Sequence, residues 1–246
     1  MTDRAGPLDL GALRRWLFAG VAVVSGLGLA VELWHARSDA PVLEDLVPSL
    51  SLSFERNVPT WWSSSLLLAC ALAAGAIARG ATRWRRHWWG MAAAFGYVSL
   101  DETAELHEHL GDHLDTSGVL FFGWVIPAAA ILVVLAAAYL RFMLALPAAT
   151  RRRLLLAGAI YIGGAVGMEL PLGWWTQRAG SDNLGYALID WVEETLEMVG
   201  ASLTILALVR HRQEEPPPVS EANTAVQPSA SRGDRDGAPG PWTGAS

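Results

Sequence analysis

Lysine is absent from the 246 residues, so all 18 basic side chains are arginines. Cysteine occurs once, at Cys70 in the middle of an apolar run, which excludes an intramolecular disulfide and a thiolate metal cage and leaves packing as its role. Charged residues make up only 17% of the chain, and the arginines form no basic surface of the kind that binds nucleic acid. Serine-hydrolase and phosphate-loop motifs are missing as well. What remains is 52% apolar and carries 12 tryptophans, the composition of an integral membrane protein.

Windows of about 20 apolar residues place six spans: Trp16 to Trp34, Trp61 to Ala78, Trp88 to about His109, Val119 to Leu140, Leu154 to Trp175, and Gly185 to Val209. The first follows Arg14 and Arg15 as a signal peptide would, but it is long and holds Glu32, so a retained helix is expected. The third and sixth are the least hydrophobic because of their acids. Arginine then sets the orientation: 13 arginines fall in the segments on one side, and Arg37, Arg56 and Arg178 on the other. By the positive-inside rule the expected fold is an all-α polytopic bundle of six transmembrane helices in a bacterial cytoplasmic membrane, with both termini cytoplasmic. Residues 1–212 form this domain, and 213–246, rich in Pro, Ser, Gly and Ala, form a cytoplasmic tail expected to be disordered.

Trp16, Trp84, Trp88 and Trp89 are expected at the inner interface, and Trp34, Trp61, Trp62, Trp124, Trp174, Trp175 and Trp191 at the outer one. Gly163 and Gly167, in GxxxG spacing, mark a close helix contact on the fifth span.

Ten of the 24 acidic residues lie inside the spans, toward their outer ends. A carboxylate in hydrocarbon must neutralise, face water or meet a cation. At about 100° per residue, Asp101, Glu105 and Glu108 share one face of the third span, bordered by Glu102 and His109, with His107 directed away. Asp190, Glu194 and Glu197 share a face of the sixth, with Glu193 beside them. Glu32 and His35 have the i, i+3 spacing of two ligands to one ion, and Glu169 adds a carboxylate from the fifth span. This is the donor inventory of a metal site in a helix bundle, and carboxylates with a few histidines suit iron, manganese or zinc. The expected ligands are Glu32, His35, Asp101, Glu105, Glu108, His109, Glu169, Asp190, Glu193 and Glu197, with Glu102 and Glu194 as spare carboxylates for acid–base catalysis on a lipid-soluble substrate. Glu55, in the loop before the second span, is a further candidate at the outer mouth.

Two other readings use the same residues. A cation or proton-coupled transporter would employ the carboxylates as relay and binding site. The segments DETAEL (101–106) and EETLEM (193–198) resemble an inverted repeat, although the helices reach them after different lengths, 13 residues against about eight. A membrane scaffold would satisfy the acids with a partner's arginines. The runs VSLDETAELHEHL, ERNVPTWWSSSLLL and EETLEMVG resemble an uncharacterised family of bacterial multi-pass membrane proteins, a resemblance that implies no activity. Glu193 and Glu194 begin like the motif of the Glu-Glu membrane proteases, but Met198 stands where that family has arginine, and the later histidine motif is missing. Six histidines are also too few for the histidine-rich membrane hydroxylases.

Overall fold

A computed structural model of the chain describes residues 8–107, 114 and 116–214, and among these it is helical without strands. The helices are α1 (Leu10–His35), the short α2 (Leu43–Leu50), α3 (Val58–Gly80), α4 (Arg85–Ala104), α5 (Val125–Ala145), α6 (Ala148–Ile162), α7 (Glu169–Ala179) and α8 (Leu184–Glu214). A π-helical turn, Gly163–Met168, joins α6 to α7, so that 148–179 form one rod of 32 residues.

Among the described residues four elements, not the expected six, are long and apolar enough to cross a membrane: α1, α3, α5 and the α6–α7 rod. Helices α4 and α8 have the length but not the hydropathy, because the acids expected to carry the chemistry dilute them.

Local sequence explains the starts of α1 and α3. Asp9 caps α1, its carboxylate accepting from the Gly11 and Ala12 amides at 2.8 and 3.1 Å. Those amide bonds hold the Asp9 carboxyl below its usual range. Asn57 caps α3 by accepting from the Thr60 amide at 3.1 Å, with Pro59 in the first turn where its missing N–H costs nothing. The Asn57 amide also donates to the carbonyls of Pro48 and Ser51, which ties the α2 loop to the start of α3.

Helix α8 is the hub, packing on α1, α3, α6, the π turn and α7. The arginine-flanked helix ends converge on one core of Ala74, Ile77, Ala78, Trp88, Phe142, Leu154 and Leu208, drawn from α3, α4, α5, α6 and α8. A second core joins Leu17 and Val21 of α1 to Leu67 and Cys70 of α3 and to Met198, Ala201 and Ile205 of α8. Close approach of α6 and the π turn to α8 depends on small residues, since lipid provides little drive for helices to associate. A Cβ on Gly200 would sit 2.7 Å from the Tyr161 amide nitrogen, and one on Gly164 would sit 2.8 Å from the Glu193 carbonyl oxygen. The expected Gly163–Gly167 contact is therefore replaced by Gly164, since a Cβ at Gly163 meets nothing within 4 Å.

The third span differs most from its expectation. Helix α4 ends at Ala104, and Glu105 takes a left-handed conformation with φ 54° as its C-cap. The helical face that would have aligned Asp101, Glu105 and Glu108 therefore stops at its second member. By contrast, α8 continues unbroken through EETLEM, so the two copies of the suggested repeat occupy different local structures. At the other end, α8 extends to Glu214, just past the expected start of the tail. The rest of that tail lies outside the described residues.

The tryptophans divide similarly. Trp16, Trp34, Trp61 and Trp89 are exposed, but Trp88 is a core residue stacked on the buried His211. The indoles of Trp124, Trp175 and Trp191 are hydrogen-bonded within the bundle.

Candidate functional site

The carboxylates of α4 and α8 meet around one cavity of about 750 Å³. Asp101 and Glu102 enter it from the last turn of α4, Asp190, Glu193, Glu194 and Glu197 from α8, and Glu169 from the first residue after the π turn. Glu55, the further candidate from the sequence, lines it from the loop before α3. No arginine is among the described residues that line it.

The geometry on each element is set locally. On α8 the acids fall at i, i+3, i+4 and i+7, one face of a helix. This face is held in place from behind: the Trp191 indole donates to the Ser25 carbonyl at 2.8 Å, and the Thr195 hydroxyl donates to the Ser25 hydroxyl at 3.0 Å. The π turn inserts extra backbone into the α6–α7 rod opposite Glu193 and Glu197, and so resets the direction of Glu169. Single π turns of this kind occur often at functional sites. Glu169 accepts a hydrogen bond from the Trp124 indole at 3.0 Å. Tyr161, from the last turn of α6, faces Glu197.

Helix α5 closes the far side, fastened mainly at its two ends. At one end is the Trp124–Glu169 bond; at the other, Phe142 is fully buried against Trp84, His87 and Trp88, and the Tyr139 hydroxyl donates to the His87 carbonyl at 3.1 Å. Between these anchors Ala128, Ile131, Leu132 and Leu135 line the cavity, and α5 hardly touches α8.

Three expected ligands lie away from this cavity. Glu32 is buried and accepts a hydrogen bond from the Ser51 hydroxyl, which makes it a fastener between α1 and the α2 loop. His35 is exposed in the last turn of α1, so the Glu32–His35 pair does not converge on an ion. Glu105 is paired with Arg56 at 2.9 Å. Glu108 and His109 lie outside the described residues. Among the described residues, no three His, Cys, Asp or Glu side chains form a group able to hold a metal ion. The carboxylates are spread around a wide space rather than aimed at a point.

His107 was expected to point away, yet it lines the cavity. Its backbone N–H donates to Asp101 at 2.9 Å, its ring nitrogen lies 3.0 Å from the other Asp101 oxygen, and its ring packs on Trp124. The break after Ala104 makes this possible by turning the chain back on the end of α4. Tyr161 and Tyr186 also line the cavity without having been singled out. Tyr186 shares the α8 acid face, one turn before Asp190, and that spacing was a usable signal.

Residues 14–212 match the family described as Domain of unknown function (DUF8692). The chain belongs to that family. No curated protein and no solved structure matches it. The matched residues include every element of the cavity, so the acidic helix faces, the π turn and the α5 wall all fall within the family domain.

Proposed function

We propose that this chain is a six-span protein of the bacterial cytoplasmic membrane, with both termini inside, that binds a cation in the acidic cavity and carries it across the membrane. The supporting observation is the cavity itself: carboxylates from α4, α8, the start of α7 and the loop before α3 gathered around about 750 Å³ with no arginine among the described lining. Such a set cannot all carry charge without a counter-cation, and it is costly in a membrane unless used. Helices α4 and α8 complete the six spans because their acids face this cavity rather than lipid. An interrupted helix at the site, here the π turn, and a wall helix fastened mainly at its ends both suit a carrier that must release what it binds.

Uptake into proteoliposomes tests this. Wild-type protein should take up a cation, and Glu194→Gln and Glu197→Gln should abolish uptake while leaving the protein folded. Wild-type vesicles no more permeable than empty ones would overturn the carrier reading. Stoichiometric iron, manganese or zinc in purified wild type, lost in Glu197→Gln, would instead favour a metal-dependent membrane enzyme with Glu102 or Glu194 as its base. A stable metal-free protein without uptake would favour a scaffold.

A further inference from the structure

Two stripes with the same helical spacing face each other across the cavity. On α8 the i, i+3, i+4, i+7 positions are Asp190, Glu193, Glu194 and Glu197; on α5 they are Ala128, Ile131, Leu132 and Leu135. Packed directly together, these faces would desolvate carboxylates against hydrocarbon with nothing to satisfy them. The helices instead stand apart. Glu193 is only 6% exposed, lines the cavity, and has an Oε2 atom with no hydrogen-bond partner. Glu197, one turn on, is equally buried.

A bare or hydrated metal ion would answer the acidic stripe and leave the apolar stripe facing empty space. The volume, about 750 Å³, is that of a site for a small organic molecule, which typically occupies roughly 300–1,000 Å³. Tyr161, Tyr186 and Trp124 also line the cavity, and aromatic ring faces attract organic ammonium groups.

Resting on the cation-binding reading above, we infer that the ligand is an amphipathic organic ammonium compound, its cationic nitrogen held by Glu193 and Glu197 and its apolar body lying against Ile131, Leu132 and Leu135. The cation offsets one negative charge of the buried carboxylate set, and the hydrocarbon portion fills the gap that keeps α5 off α8. A ligand of this kind partitions into lipid and reaches a cavity whose far wall is a membrane helix.

The experiment is calorimetric titration of the purified full-length protein with four probes. These are benzyltrimethylammonium, its neutral carbon isostere neopentylbenzene, tetramethylammonium, and manganese chloride. Benzyltrimethylammonium should bind one to one, and the neutral isostere should not bind. Glu193→Gln and Leu132→Ser should each weaken binding by about tenfold or more, the first by removing the charge partner and the second by removing apolar contact. Val133→Ser, on the exposed face of α5, should leave it unchanged.

Equal binding of the neutral isostere would overturn the inference on wild-type protein alone. Manganese or tetramethylammonium binding at least as tightly as benzyltrimethylammonium, with Leu132→Ser inert, would overturn it while leaving the cation reading intact. Failure of every cation to bind would overturn both.

Discussion

Glu32 shows how a single side chain changes meaning once its neighbour is known. In the sequence it is an intramembrane acid three residues from a histidine; in the fold it is a buried acceptor for Ser51. Ser51→Ala would leave that carboxylate without its donor, at a cost of about 1–3 kcal/mol. The thermal midpoint should fall while cation binding in the cavity is retained, and an unchanged midpoint would show that Glu32 is satisfied elsewhere. Glu105 and Arg56 make a similar point, since both adopt left-handed backbone and meet in an ion pair at 2.9 Å. Nothing in the residue types announces that geometry. The i, i+3, i+4 spacing of the α8 acids is different, because it depends only on helical pitch and was legible directly.

At the level of elements, α1, α3 and α8 were readable because long apolar or amphipathic runs are bounded by caps, tryptophans and arginines. The end of α4 was not readable, since DETAEL has good helical propensity throughout and the break coincides with Glu105 pairing with Arg56, from the loop before the neighbouring α3. The π turn was hidden for the same reason: an extra residue in a turn leaves no signature in composition. At the arginine-rich end, Glu214 accepts from Arg210 at 2.8 Å and lies 3.2 Å from Arg153 of α6. The bond from Arg210, with that from Arg153, holds the Glu214 carboxyl below its usual range. A carboxyl lowered by folding contributes stability above its unfolded value, about 4.3, and loses it as pH falls through the folded value. The deficit of Glu214→Gln relative to wild type should be small, a few tenths of a kcal/mol at an exposed site. It should be measurable by thermal unfolding at neutral pH and vanish in acid. A deficit that persists at low pH would mean that packing, rather than charge, ties α8 to α6.

For the whole molecule, alternation of arginine-flanked and acidic ends predicts which loops face which compartment. Cys70 is fully buried and should not react with maleimide in folded protein, so single introduced cysteines can be read against a silent background. An impermeant maleimide added to intact cells should label Asp182→Cys, in the loop between α7 and α8, and spare Thr82→Cys, between α3 and α4, until the membrane is opened. The reverse pattern would invert the topology, and labelling of both would break the six-span count. The π turn carries a consequence of another sort. Its surplus of backbone adds nothing to the length needed to cross a bilayer, yet it decides where everything from Glu169 to Ala179 points. Deleting one residue there would restore α-helical pitch and turn that segment by roughly 100°. Trp124 would lose its carboxylate and the cavity one of its walls, although every side chain that builds the site would still be in the protein. What is encoded at this point is a count of residues, and it can be miscounted without any of them being wrong.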